Sequence, residues 1–113
     1  MHTHVRNLLR PQTRLLMVVY EQARRSVICD RVSWDEAVVR TSWKSLGALA
    51  KVPEASVRGQ IYKLEAAEYI RREPHKYSGT LDLWLMPDGR DAVREVAKWV
   101  ADQCLATFVS IDG

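Results

Sequence analysis

Little in this sequence suits metal or covalent chemistry. Its 113 residues include two cysteines and three histidines. Cys29 and Cys104 belong to no C-x-x-C pair, so no zinc knuckle can form. Both fall on apolar stripes of expected helices, where a thiol behaves as a small buried hydrophobe; a disulfide between them is the alternative. His2 and His4 form an H-x-H near the start, but no third ligand accompanies them. A Gly-rich phosphate loop, an H-E-x-x-H pair and a nucleophile elbow are all missing, and His75 stands alone beside Lys76. No catalytic residue, metal or cofactor is expected. No apolar run approaches the length of a membrane span. The opening MHTHVRNLLRPQTR lacks the uninterrupted apolar core of a secretory signal. The expected location is therefore cytoplasmic and reducing, with nucleoid association if the chain binds DNA.

What is present suits one domain of 1–113, long enough to bury a core. The formal charge is +3 and the pI about 9.1. That mild basicity permits a nucleic-acid partner without requiring one. It is concentrated early: Arg6, Arg10, Arg14, Arg24, Arg25 and Arg31 face only Glu21 and Asp30 in the first 31 residues.

Apolar residues at helical spacing, Leu15, Leu16, Val19, Ala23, Val27 and Ile28, predict a first helix over 12–29, with Pro11 suited to its first turn. Residues 30–41 have two readings. Ser33-Trp34-Asp35-Glu36 fits a capping box opening a short helix, whereas Val38-Val39-Arg40-Thr41 fits a short strand, the reading preferred for the end of the segment. Ser42 then caps a two-turn helix marked by Leu46, Leu49 and Ala50. After a turn at Val52-Pro53-Glu54, a helix to about Glu68 carries Val57, Ile61, Leu64 and Ala66 or Ala67 on one side. Tyr69–Arg72 and Thr80–Leu85 read as two strands, with Trp84 anchoring the second. Pro87-Asp88-Gly89 reads as a turn. A long last helix over 89–108 has the stripe Val93, Val96, Ala97, Val100, Cys104, Leu105 and Phe108.

The segment LGALAKVPEASVRGQIYKLEAAEYIRRE resembles the winged helix-turn-helix family. Leu46, Leu49, Ala50, Val52, Val57, Ile61, Leu64, Ala67 and Ile70 match its apolar skeleton. Ala50 stands where a small residue lets the two helices approach, and Val52 where the turn is plugged. Leu85-Met86-Pro87-Asp88-Gly89-Arg90 resembles the strand-to-helix junction of MarR-type regulators, with Met86 in place of the usual Thr. Glu68 stands where the family commonly has a left-handed Gly, which Glu adopts only at a cost; a different helix end is expected there. The wing tip also carries fewer basic residues than strong DNA binders show. The resemblance implies a mainly α fold with a small β-hairpin wing (α+β), its helix-turn-helix and wing spanning 42–86.

The resemblance also implies a small dimeric regulator, a repressor that binds double-stranded DNA of defined sequence. A helix fits the major groove and meets base edges there. On the exposed face of the second helix of the motif, Ser56, Gln60 and Tyr62 offer hydrogen bonds to bases or phosphates, Arg58 suits a bidentate contact to guanine or a phosphate, and Gly59 lets the backbone come close. Ser42, Lys44 and Lys63 suit phosphates, and Arg71, Arg72, His75 and Lys76 suit an adjacent minor groove or the DNA backbone, reached from the wing. Acids nearly cancel the bases between Glu54 and Thr80, so a protein-interaction module, viral or accessory, is an alternative; a replication or partition protein, which would use the same groove chemistry, is another. The terminal helices supply more apolar surface than one domain needs. A homodimer through Leu15, Leu16, Val19, Val96, Trp99, Val100, Cys104, Leu105 and Phe108 is expected, against a last helix folded back on its own chain. A small-molecule effector has no support beyond the aromatic residues that would line its pocket.

Overall fold

The computed structural model describes the backbone of residues 10–74 and 79–112, and the side chains of residues 10–73 and 79–102. His2, His4, His75 and Lys76, and the side chains of Cys104, Leu105 and Phe108, lie outside the described residues. The element order is α1 (Pro11–Cys29), β1 (Val38–Ser42), α2 (Trp43–Ala50), α3 (Glu54–Ala66), β2 (Ile70–Pro74), β3 (Thr80–Leu85) and α4 (Pro87–Asp112). Among the described residues no helix is long and apolar enough to cross a membrane.

Helix α1 begins with Pro11 in the first turn, where its missing N–H would be unpaired in any case. It buries Leu15, Leu16, Val19 and Ala23. Leu15 and Val19 are fully enclosed and Leu16 nearly so, against the same chain's core. These three, expected at a dimer interface, are already covered within one protomer, with only a sliver of Leu16 left at the surface. The buried stripe also stops sooner than expected. Ile28 is 59% exposed, and Cys29 is an exposed free thiol and not a buried one. At about 100° per residue, Ile28 sits roughly 140° around the helix from Ala23, away from the core.

The strand reading of residues 38–41 holds. At Ser33 the capping geometry does form, since the Glu36 N–H donates to Ser33 Oγ at 3.3 Å. It closes only a turn, after which Ala37 is buried and β1 begins. β3 is the central strand of a three-stranded antiparallel sheet ordered β1-β3-β2. Alternation puts Leu81, Leu83 and Leu85 on the buried face. Val39 pairs with Leu83 and Ile70 with Leu85 across the sheet, so one apolar layer faces the helices.

Ser42 caps α2 as expected, its Oγ accepting from the Ser45 N–H at 3.1 Å. Gly47, which sequence reasoning passed over, allows the close approach of α2 to the following turn. A Cβ there would stand 2.8 Å from the Val52 carbonyl oxygen and 3.1 Å from Val57 Cγ2. Ala50 and Val52 are buried as the resemblance implied, but Leu49 is 56% exposed and Ala67 is exposed. Both lie off the stripes defined by Leu46–Ala50 and Val57–Ile61–Leu64. The far end of α2 is closed from α1: Arg14 Nε donates to the Ala50 carbonyl at 3.0 Å and its Nη2 to that of Lys51 at 3.2 Å. The charge therefore sits at a helix C-terminus, where a cation is favoured.

Helix α3 ends in a left-handed residue despite having no glycine there. Glu68 has φ 63°, its N–H donates to the Glu65 carbonyl, and the Tyr69 N–H reaches back to Leu64, each at 3.0 Å. This is the Schellman arrangement, so the ending matches the family pattern and Glu68 takes the strained conformation. Glu68→Gly is expected to raise stability by about 1 kcal/mol, read as a higher denaturation midpoint at unchanged slope.

Pro87-Asp88-Gly89 is the first turn of α4 and not a separate turn. Proline suits the first helical position, and Asp88 complements the helix dipole. Gly89 is there for space: a Cβ would land on the Tyr69 carbonyl oxygen and approach Leu85 Cδ1 to 3.0 Å. Val93 buries beside α1, after which α4 continues with Val96 and Val100 half-buried and Trp99 exposed.

Candidate nucleic-acid interface

Three apolar residues anchor α3, and the rest of the helix is a polar surface. Val57, Ile61 and Leu64 are buried. Ser56, Arg58, Gly59, Tyr62 and Lys63 are exposed, and Gln60 is half-buried at the margin. The expected face is thus presented outward, with Lys44 exposed beside it at the start of α2.

Gly59 is notable for what does not surround it. A Cβ added there would meet nothing within 4 Å, and its backbone is not left-handed. A glycine inside a helix costs about 1 kcal/mol relative to alanine. Nothing in the packing of the described residues requires it.

The cations of this face are of two kinds. On the hairpin, Arg71 Nη1 lies 2.7 Å from Glu73 Oε1 and its guanidinium 4.1 Å from the Trp84 ring centroid. Arg72 turns back toward α3: its Nη2 donates to Glu65 Oε1 at 3.4 Å, its Nε lies 3.3 Å from Glu65 Oε2, and its guanidinium covers Tyr62 at 5.0 Å. Arg40 on β1 pairs with Asp82 at 3.6 Å. These arginines are held within the sheet and against α3. The second kind is Lys44, Arg58 and Lys63, none of which has a carboxylate partner among the described residues. Ser42 keeps its hydroxyl for the cap and for Ser45 Oγ at 3.0 Å.

The aromatics do more than fill edges. The Arg58 guanidinium lies 5.3 Å from the Trp43 ring centroid, and Trp43 meets Tyr62 edge-on at 6.2 Å and 85°. With Arg72 over Tyr62, the side chains form a continuous ladder from α2 across α3 to β2. Sequence reasoning missed it, because its members come from three elements with no common spacing. Trp84 does anchor the wing, through Arg71. On the opposite side, the start of α1 and the middle of α4 enclose an open groove of about 450 Å³, its lining including Leu16, Tyr69, Val93, Val96 and Trp99.

Comparison of the sequence with protein-family models finds no match, and none is found among curated proteins. Solved structures do match. A MarR-family transcriptional regulator from Silicibacter pomeroyi superimposes with a TM-score of 0.64 at 16% identity, over 91% of this chain and 59% of that one. MepR, a transcription regulator of the Staphylococcus aureus multidrug efflux pump MepA, gives 0.63 at 15% identity over 89% and 63%. BpsR of Bordetella bronchiseptica, whose DNA binding is regulated by 6-hydroxynicotinic acid, gives 0.57 at 20% identity over 85% and 59%. The chain spans about three fifths of the length of these regulators. Element order, the α2–α3 turn, the β2–β3 hairpin and these superpositions together give the conclusion that this chain has the winged helix-turn-helix fold of MarR-type regulators.

Proposed function

We propose that the chain is a small dimeric transcriptional regulator that binds double-stranded DNA of defined sequence, acting as a repressor by occupying its operator. The observation that carries this reading is the outward face of α3. It combines Arg58 and Lys63, which have no carboxylate partner among the described residues, with a helix-interior glycine that no contact among those residues explains. A groove-bound duplex would supply the missing neighbour at Gly59, since a bare backbone allows the closest approach. Arg58 is the candidate for guanine, through a bidentate contact. Ser56, Gln60 and Tyr62 supply further hydrogen bonds, and Lys44 and Lys63 hold phosphates. The hairpin contributes to the fold of the interface more than to its charge, because Arg71 and Arg72 are already paired. The second protomer docks along α4 past Val96, Trp99 and Val100, without the α1 residues enclosed in the core. The likeness to DNA-binding regulators of this fold supports the same reading.

The experiment is a mobility-shift titration on a selected duplex. Arg58→Ala is expected to lower preference at one base pair per half-site, whereas Lys63→Ala weakens all sequences alike. Gly59→Ala is expected to separate function from folding. It should stabilise the free protein by about 0.5–1 kcal/mol while weakening DNA binding. If binding stays at the wild-type level in all three variants, α3 is not the DNA-contacting surface.

A further inference from the structure

We infer that Trp43 is a positioning residue for the α3 face. Its ring holds the Arg58 guanidinium ready for a base edge, so preference at one base pair depends on a residue in a different helix. The inference rests on the DNA-binding reading above.

Arg58 differs from its neighbours in what holds it. Arg40, Arg71 and Arg72 each lie against a carboxylate, Asp82, Glu73 and Glu65. Arg58 lies instead 5.3 Å from the centre of the Trp43 ring, with no ion pair among the described residues. The two kinds of partner have different consequences. A carboxylate occupies guanidinium N–H donors and cancels the charge. An aromatic face attracts the cation through its quadrupole and accepts no in-plane hydrogen bond. All five donors of Arg58 therefore remain available, in the fork geometry that suits guanine.

The support is itself braced. Trp43 is half-buried and packs against the core, which limits the movement of its ring. Tyr62 meets it edge-on at 85°, Arg72 covers Tyr62 at 5.0 Å, and Glu65 holds Arg72 at 3.3 Å. A long exposed side chain ordinarily loses rotamer freedom when it binds. One already resting on a fixed ring loses less, and its contact is correspondingly more selective.

The test measures binding of the full chain to a panel of duplexes, each changed at one base pair of a selected site. Arg58→Ala first identifies the pair that Arg58 reads. Trp43→Leu keeps apolar bulk against the core but removes the ring, and Trp43→Phe restores a ring. The expected result is about tenfold less discrimination at that one pair for Trp43→Leu, with other pairs unchanged and recovery in Trp43→Phe. Salt dependence should stay at the wild-type value, since the Arg58 charge remains. The double variant should be no worse there than Arg58→Ala alone. The inference is overturned if Trp43→Leu discriminates like wild type. It is equally overturned if Trp43→Leu weakens every duplex alike together with a fall in Tm, which is the mark of a purely structural tryptophan. If Arg58→Ala itself changes preference nowhere, the Arg58 reading fails first and the role of Trp43 falls with it.

Discussion

Gly89→Ala is expected to destabilise the chain by about 3 kcal/mol, at the upper end of what overpacking usually costs. The added Cβ would fall on the Tyr69 carbonyl oxygen, with Leu85 Cδ1 at 3.0 Å on the other side. That carbonyl cannot swing aside cheaply. It accepts the Met86 N–H at 3.0 Å, and Tyr69 follows the left-handed Glu68 at the end of α3. Leu85 is equally fixed, enclosed on the central strand opposite Ile70. Relief would require α4 to pull away from the β2 end of the sheet, exposing Val93. Denaturant unfolding measures the effect. The midpoint should fall with little change in slope, and a midpoint within error of wild type would show that the junction yields more easily than its geometry implies.

The second large effect is the salt dependence of DNA binding. Three cations on the α2–α3 face, Lys44, Arg58 and Lys63, have no carboxylate partner among the described residues. With Arg58 committed to a base, two protomers would bring four cations, Lys44 and Lys63 of each, to the phosphates. Each neutralised phosphate releases condensed counterions, so the slope of log K against log[salt] is expected near about −4 for a dimer, and near about −2 for a monomer. Between 50 and 200 mM salt the dimer would lose about 10²-fold in affinity. Titrations at four or five salt concentrations measure the slope directly. A much steeper value would mean that Arg71 and Arg72 leave their carboxylates to join the phosphate contacts; a flat one would remove the electrostatic basis of binding.

Elements with a strong apolar period could be read from the residues alone. The α1 stripe of Leu15, Leu16 and Val19, the α3 stripe of Val57, Ile61 and Leu64, and the alternation of Leu81, Leu83 and Leu85 each state their own periodicity. The Ser42 cap was legible because a side-chain oxygen before an apolar run has few other uses. Misreadings came where a residue's role depends on a distant neighbour. Pro87 and Gly89 look like a turn locally, but the proline is helical and the glycine is there to clear Tyr69. Gly47 and Ala50 both bring α2 against its neighbours, and only the folded chain shows how little room Gly47 has, with the Val52 carbonyl oxygen 2.8 Å from where a Cβ would stand. Leu15, Leu16 and Val19 suit a dimer interface as well as a core, and their enclosure in the chain's own core decides for the core. Charge was hardest to judge. Counting bases and acids between Glu54 and Thr80 gives near neutrality, whereas the structure divides the cations into hairpin arginines paired with Glu73 and Glu65 and a set on the α2–α3 face without a carboxylate partner among the described residues. The Trp43–Tyr62 ladder has no signature in spacing, since its members come from α2, α3 and β2.

The central claim is that the outward face of α3 reads double-stranded DNA in a symmetric pair. Selecting bound duplexes from a random pool at low salt, with the full chain, tests binding, symmetry and spacing together. The account predicts enrichment of two inverted half-sites centred about one helical turn apart, each with a guanine-containing pair whose preference disappears in Arg58→Ala. A pool that remains unenriched at low salt, or enrichment that survives unchanged in Arg58→Ala, would contradict it.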